Sequence, residues 1–380
     1  MRILISGAGI AGLALAGFLK EQGIEPVLLE KAQAWSRVGY GIALWGNGIR
    51  ILERLGLAEK FYATGERIEA WTLRDGQGKI LKQADLHLED LPPLTAIHRA
   101  DLHGVLLENV PQEWIRMETT LDRVQPGAEG VQVYLSDGSV EEYDLIVGAD
   151  GVRSRLRSLA FNHWHLENTG TATWSFWIPD RITPPHGFTE AWMEGGKAFL
   201  VAPVSGRHMG SVAVPINADY DPLDHWNWLQ NQVQADEWLL PAVLDAVDDP
   251  DTVYHDQNYR VEAEQWYRDR MVLIGDAAHA MHPIVGMGAS LALEDAYVLA
   301  DELAQIGAER IEQALERYSQ RRQHRVATFQ KQAELTWRVT FTQQSLFRLM
   351  RNFAVQYTPF FEKFFLKQAH NVATDLFQKL

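Results

Sequence analysis

The chain has 380 residues, 46% of them hydrophobic and 22% charged, a soluble globular balance with enough length for two joined domains or one domain with an insertion. A formal charge of −15 argues against DNA or RNA as a partner, because phosphate binding needs a basic surface. With no cysteine there is no disulfide framework, no catalytic thiol and no thioether link to a cofactor, which fits the cytoplasmic location we expect.

Taken in chain order, Arg2–Ser6 reads as a buried parallel strand, Ala11–Gln22 as a helix closed by Gly23, and Pro26–Glu30 as the next strand. Together they form a βαβ unit. The apolar run Ile3–Leu19 is short for a membrane span, and its glycines suit a strand, turn and helix better. Gly48–Leu55 continues as a helix ended by Gly56. Hairpins are expected at Trp71–Leu81 around Asp75-Gly76 and at Val131–Glu142 around Asp137-Gly138, with a helix over His98–Glu108 between them. Tyr143–Ala149 reads as a second buried strand ending in Asp150-Gly151. Alternating segments at Thr171–Ile178, Thr189–Met193, Ala198–Pro203 and Gly210–Pro215 predict an antiparallel sheet, the expected substrate domain. Residues 223–247 read as helical, Arg270–Gly275 as a third buried strand and Ser290–Gln305 as a helix. After Ile311 the pattern is helical to the end, with a break near Thr358-Pro359.

Three motifs carry the chemistry. The first is Gly7-Ala8-Gly9-Ile10-Ala11-Gly12 between strand and helix. Gly7 permits the tight turn, Gly9 lets backbone approach a pyrophosphate, and Gly12 allows helix to pack on strand. The helix N-terminus then presents partial positive charge to the phosphates. Glu30, at the end of the second strand, is placed to accept from a ribose 2′-hydroxyl and would repel a 2′-phosphate, which argues against NADP in this site. The second motif is Gly148-Ala149-Asp150-Gly151-Val152-Arg153-Ser154-Arg155-Leu156-Arg157. From the residues alone it stands equally as a ligand turn or as a capped turn in which Asp150 and Ser154 satisfy backbone donors. The third is Gly275-Asp276, where a carboxylate just beyond a buried strand can bind a sugar alcohol. The helix that starts near Gly288 can aim its N–H groups at a flavin carbonyl. His279 reads as a structural histidine in a turn. A distant Gly-Asp partnered with an N-terminal glycine motif is the combination that grips both halves of FAD. The expected fold is α/β: a discontinuous Rossmann-like FAD-binding domain, an inserted antiparallel β-sheet substrate domain and C-terminal helices. Boundaries are expected at residues 1–70, 98–170 and 265–330 for the FAD-binding domain, 71–97 and 171–264 for the substrate domain, and 331–380 for the helical region.

In this order and at these separations, the motifs resemble those of the FAD-dependent aromatic hydroxylases of the para-hydroxybenzoate hydroxylase type. That group includes salicylate hydroxylase-like enzymes, zeaxanthin epoxidase and the hydroxylase that makes 2-heptyl-3-hydroxy-4-quinolone. The resemblance spans residues 1–330 or so. It implies that Gly7, Gly9, Ile10, Ala11, Gly12, Glu30 and Lys31 hold the ADP half of FAD. Arg37, Gly41 and Ile42, from Arg-x-x-Gly-x-Gly-Ile, and Arg99, from Arg-x-x-Leu, would contact the flavin side or the pyrophosphate. Gly275 and Asp276 would bind the ribityl chain, and Pro283, Gly286, Met287, Gly288 and Ala289 would line the isoalloxazine. Asp150 and Arg157 match a motif linked in that family to both FAD and NAD(P)H. Where the family usually has Gly-Gln-Gly, this chain has Gly286-Met287-Gly288, which removes a polar side chain from the turn.

The resemblance further implies a single-component monooxygenase. NADH or NADPH reduces the flavin, O2 adds at its C4a carbon, and an electrophilic hydroxyl is delivered to an aromatic or polyunsaturated small molecule by hydroxylation or epoxidation. No catalytic side chain and no metal is expected, because the flavin carries the chemistry. No second glycine fingerprint marks a nicotinamide domain. Trp174, Trp192, Phe199 and Met209 are the candidate pocket residues, suited to a flat apolar ring. Trp174-Ser175-Phe176-Trp177-Ile178-Pro179 nearly spells the Trp-x-Trp-x-Ile-Pro of flavin halogenases, but the second Trp is displaced by one residue, which reverses its facing in a strand. A dehydrogenase or reductase of the same fold, a halogenase and a non-enzymatic FAD protein are the alternatives. Residues 331–380 hold seven Lys/Arg against three Asp/Glu and are rich in Phe. We read them as helices that cap the body or form a dimer face, in preference to a peripheral membrane contact. The protein is expected as a monomer or homodimer.

Overall fold

Strand Ile3–Ser6 is buried at all four positions, as a parallel strand covered on both faces must be. The computed structural model describes residues 1–35, 40–86, 91–306, 310–359 and 372. Among them, a six-stranded sheet runs in the order Tyr267–Arg268, Met271–Leu273, Leu145–Gly148, Ile3–Ser6, Val27–Leu29, Ile115–Arg116. All its pairings are parallel except that of Tyr267–Arg268 with Met271–Leu273. Helix Ile10–Glu21 is buried from Ala11 to Leu19, because it is sandwiched between this sheet and helix Gly288–Ile306. Its small residues make the close approach feasible. A methyl group at Gly12 would stand 2.0 Å from the Gly7 carbonyl oxygen, so only glycine fits.

A seven-stranded sheet forms the second layer, in the order Tyr254–Ala263, Trp164–Trp177, Arg207–Pro215, Lys197–Val204, Phe188–Met193, Ala70–Asp75, Ile80–Asp85. It is antiparallel apart from the parallel pair of Phe188–Met193 with Ala70–Asp75. One face carries Ala172, Trp174, Phe176, Ala191, Phe199 and Val201, packed against Trp228, Leu229, Leu240 and Val243 of helices His225–Val233 and Leu239–Asp245. The opposite face turns toward the parallel sheet and the C-terminal helices. Smaller antiparallel sheets join Gly41–Leu44 with Thr95–His98 and Glu66–Arg67, and Leu121–Pro126 with Val131–Leu135 and Val140–Tyr143.

The α/β architecture is the one expected, with local differences. The helical stretch at 223–247 is two helices divided at Gln234–Trp238, and the ten-residue strand Tyr254–Ala263 had no clean alternation to announce it. Its burial is intermediate along much of its length, which erases the period-two signal. The long helix Ile311–Thr340 stops before Phe341, and a separate helix spans Ser345–Tyr357, so a break precedes the expected one. That last helix has inverted polarity. Arg348, Arg351 and Val355 face the body, while Leu346, Leu349, Met350, Phe353 and Tyr357 are exposed. No described helix is long and apolar enough to cross a membrane.

Candidate active site

Ser6, Gly148 and Leu273 lie level with one another on three adjacent parallel strands, and Leu29 sits beside Ser6 on the fourth. The residues that follow each strand therefore emerge at a common edge: Gly7, Asp150, Gly275-Asp276 and Glu30. Carboxyl ends of parallel strands are where open α/β sheets bind ligands. The Gly-Asp turn and the N-terminal glycines also touch. A methyl group at Gly275 would stand 3.3 Å from the Ala11 Cβ.

Each glycine of the first motif has its own constraint. Gly7 has φ +106°, and a methyl there would stand 2.4 Å from the Ala149 carbonyl oxygen. Gly9 has ordinary extended backbone, yet no atom lies within 4 Å of where its Cβ would project. Gly7 and Gly12 are thus required by the fold, whereas Gly9 keeps open space in front of the helix N-terminus. Glu30 accepts from the backbone N–H groups of Ala8, at 3.4 Å, and Ala32, at 2.9 Å, which fixes its carboxylate beside the turn. Ile10 is half-buried and Lys31 is exposed.

The second motif is a capped turn. Asp150 Oδ2 accepts from Arg155 N at 2.8 Å, Leu156 N at 3.1 Å and Ser6 Oγ at 3.3 Å, and Ser154 Oγ accepts from Arg157 N. Arg157 is buried and donates to the carbonyls of Ala277, at 2.7 Å, and Val152, at 2.7 Å. It is a strut between the second and third motifs, and its buried Nε has no hydrogen-bond partner among the described residues. Asp150 Oδ1 is buried with no hydrogen-bond partner among the described residues.

Asp276 differs from these groups. It is solvent-exposed and makes no hydrogen bond or ion pair among the described residues. Protein crowding around it nevertheless raises its pKa by desolvation, against the attraction of His279 and Arg99. It is a carboxylate recessed in a cleft with its oxygens open. Arg99 is exposed too, brought alongside because strand Gly41–Leu44 pairs with Thr95–His98, with Gly41 opposite His98. Gly41 itself faces away. Its N–H donates to Met209 Sδ at 2.9 Å, and a methyl there would meet Val204 at 2.7 Å, so it joins the two sheets at close quarters. Ile42 is half-buried in the same strand. Arg37 lies outside the described residues.

The loop after Asp276 is tied at several points. His282 Nε2 pairs with Thr171 Oγ1 at 2.9 Å, anchoring the loop to the seven-stranded sheet, and Trp45 Nε1 donates to the Val285 carbonyl at 3.2 Å. Pro283 is exposed, Gly286 is left-handed at φ +61°, and Gly288 and Ala289 begin the nineteen-residue helix, whose first N–H groups have no partner within the helix itself. Met287 departs from expectation. Its side chain is fully buried in the core, so the apolar residue that replaces a Gln packs inward and leaves only backbone at the cleft.

Behind the Gly-Asp turn lies a buried network that residue-by-residue reading missed. Asp295 accepts from Gly275 N at 2.8 Å and Arg322 Nε at 2.6 Å, and pairs with His279 Nε2 at 2.6 Å. Glu294 accepts from Arg325 Nη2 and from Asn47 Nδ2, each at 2.7 Å, and Arg322 Nη1 joins it. Burial would raise both carboxyls, but His279 and Arg322 at Asp295, and Arg322 and Arg325 at Glu294, hold them below the usual range. An acidic pair in one helix and arginines spaced along the next were the only sequence signal. His279 is accordingly structural.

The pocket candidates divide by facing. Trp174 and Phe199 lie on the outer face of the seven-stranded sheet, where Trp174 stacks on Trp228 at 5.8 Å and Phe199 meets Trp238 at 5.9 Å. This removes both from the pocket, because residues an odd number of positions apart on a strand take opposite faces. Trp192 and Met209 are on the inner face. Trp177 is there as well, stacked on His98, so Trp174 and Trp177 cannot act together as the halogenase motif requires. Along the inner face Thr173, Leu200, Ser211, Ala213 and Glu190 remain half-exposed in the middle of the sheet.

The site fits an extended dinucleotide with a sugar-alcohol chain: free space before Gly9, an orphaned Asp150 oxygen, an open Asp276 carboxylate and a helix N-terminus at Gly288. Comparison with known proteins agrees. A family model described as an FAD binding domain matches residues 1–333. The chain is 31% identical over 306 residues to 2-heptyl-3-hydroxy-4(1H)-quinolone synthase of Pseudomonas aeruginosa, covering 79% of this chain and 80% of that one. It is 29% identical over 355 residues to 6-hydroxynicotinate 3-monooxygenase of Pseudomonas fluorescens, covering 87% and 89%. A crystal structure of Klebsiella pneumoniae HpxO complexed with FAD and uric acid shares the fold, with a TM-score of 0.88 at 24% identity over 99% of this chain and 97% of that one.

Proposed function

The chain belongs to the FAD binding domain family, as an FAD-dependent monooxygenase of the aromatic hydroxylase type, and from that premise we propose which residues hold the cofactor and what kind of ring it serves. Gly7, Gly9, Gly12 and Glu30 take the ADP half, Asp276 the ribityl chain, and the Gly286–Ala289 backbone the flavin ring. When bound, FAD accepts a hydride from NADH or NADPH and activates O2 to transfer one oxygen atom to the substrate. The protein contributes binding, orientation and exclusion of water. The helix N-terminus at Gly288 favours negative charge on the flavin ring, and the inner face of the seven-stranded sheet supplies a wall for a flat ring compound. The substrate is a small aromatic, and the relatives' names point to nitrogen-containing rings.

The observation that carries this reading is Asp276, exposed and without a hydrogen-bond partner among the described residues, at the edge where four strand ends meet. The purified protein should be yellow, oxidise NAD(P)H faster when a suitable ring compound is added, and incorporate one atom from 18O2 into the product. Turnover without label would make it a dehydrogenase of the same fold, and a colourless protein indifferent to FAD would end the proposal.

Gly9 gives a separate test. Because its backbone is extended and its Cβ direction is open, Gly9→Val should leave the fold intact. FAD affinity should fall by about 10–100-fold, ~1.4–2.8 kcal/mol, because the new side chain occupies the space reserved for the pyrophosphate. Equilibrium dialysis with the apo-protein measures it. Gly7→Val, by contrast, should fail to fold, since even a methyl there overlaps Ala149.

A further inference from the structure

Across the inner face of the seven-stranded sheet the register aligns Ser175, Ser211, Leu200, Glu190 and Leu73 in one row. Adjacent strands are about 4.8 Å apart, so Glu190 lies roughly 14 Å along the row from Ser175. Strand Trp164–Trp177, which carries Ser175, is the strand tied through Thr171 to His282 and the flavin loop. On this face Thr173, two residues from Thr171, and Ser211, Leu200 and Glu190 are half-exposed, so a partly open stretch leads from the strand that anchors the flavin loop to the carboxylate.

Glu190 is out of place as a mere filler of that row. It occupies an interior strand yet is half-exposed, so it borders open space. Trp192 Nε1 donates to its Oε1 at 2.7 Å, and the Trp71 indole contributes a second interaction. Arg351 covers Trp192, its guanidinium 4.4 Å from the ring centroid, but its donors go to the carbonyls of Val339 and Thr340 and to Asn352 Oδ1, and it makes no ion pair with Glu190. The indoles supply the hydrogen bonds to the carboxylate, and Arg351 adds a charge attraction without an ion-pair contact among the described residues. Desolvation outweighs these interactions and pushes its pKa up to about 7, so the group is a strong hydrogen-bond acceptor.

Resting on the monooxygenase reading above, we propose that Glu190 is a substrate-binding residue: it accepts a hydrogen bond from a ring N–H or O–H and selects uncharged aromatic donors over aromatic carboxylates. A carboxylate substrate would face like charge at this position and be disfavoured. A bond from ring N–H or O–H to a carboxylate also moves electron density into the ring, the direction an electrophilic oxygen transfer requires. A site that hydrogen-bonds a donor rejects the analogue lacking it by a large factor, since the acceptor is left unpaired in a desolvated place.

The test uses the FAD-loaded enzyme with 4(1H)-quinolone and phenol, each paired with its N- or O-methyl counterpart, and benzoate as the anionic control. Product formation with 18O2 and NAD(P)H oxidation are both followed. The wild type should prefer at least one donor to its methylated partner by about 50-fold or more in kcat/KM, with benzoate inactive. Glu190→Gln should keep its FAD content, lose most of that activity and shrink the preference to a few-fold, which a merely structural role would not do. Should Glu190→Gln fail to load FAD, Glu190→Asp and the wild-type pairs decide. Equal turnover of donor and methylated compounds, preference for benzoate, or an unchanged preference in the variant overturns the role of Glu190 and leaves the monooxygenase reading standing. Absence of label in any product overturns both.

Discussion

Asp276→Ala should yield a folded, nearly colourless protein whose FAD affinity has dropped by about 10–100-fold, the loss expected of one charge-assisted hydrogen bond worth ~1.5–3 kcal/mol. The fold should not suffer. Asp276 makes no hydrogen bond to the described protein, and its raised pKa means that the charged carboxylate is disfavoured in the apo-protein. The sign follows from linkage. A carboxyl whose folded-state pKa is raised stabilises the fold in relative terms at acid pH, and that contribution is lost as pH rises through the raised value. The apo-variant should therefore melt at the same temperature as wild type near pH 4 and slightly higher at pH 7. Absorbance at the flavin band and calorimetry of the apo-proteins check the two halves. Full yellow colour in the variant would remove Asp276 from the cofactor site.

Asp295→Ala should do the opposite, damaging the fold and the flavin site together. Its removal leaves Arg322 short of a partner and strands the buried Gly275 N–H and His279. Breaking a buried ion pair by deleting one member costs about 3–5 kcal/mol, enough to lower the melting midpoint by about 4–6 °C in a chain of this length. Because Asp295 holds Gly275 from behind, the Asp276 carboxylate should lose its aim, and FAD affinity should fall even in molecules that remain folded. The pH dependence discriminates this from a simple cavity. Asp295 and Glu294 have depressed pKa values, so their contribution is present above the ordinary carboxylate range and lost as pH falls through the lowered values. Wild type should thus lose stability steeply in acid and Asp295→Ala less so. Equal acid sensitivity would show that the network is not what titrates.

The two substitutions separate what was readable in the chain from what was not. Gly7, Gly9 and Gly12, Glu30 and Gly275-Asp276 were legible because their geometry is local: a buried strand, a turn only glycine can make and a helix start all fall within a dozen residues. Among the described residues Asp276 makes no hydrogen bond and Gly9 faces open space. Asp295 was invisible because its partners come from the Gly275 turn and from Arg322 in the next helix, and nothing in the local pattern pairs them.

Facing was the other failure. Trp174 and Phe199 were sensible pocket residues by type, but the strands place them toward helices His225–Val233 and Leu239–Asp245. Met287, just before the helix at Gly288, likewise turned into the core. Glu190, the one acid on the inner row, looked like an ordinary polar residue in an alternating strand.

By itself, then, the amino-acid order determined the three strand-end turns, the cofactor and the α/β class, since each is set by backbone conformations and periodicities a short segment carries within itself. Only the folded arrangement decided which side of the second sheet meets the cleft, which acids are satisfied by protein and which stay open. Those depend on strand register and on which distant helix covers each face, and a one-position change in either exchanges core for cavity.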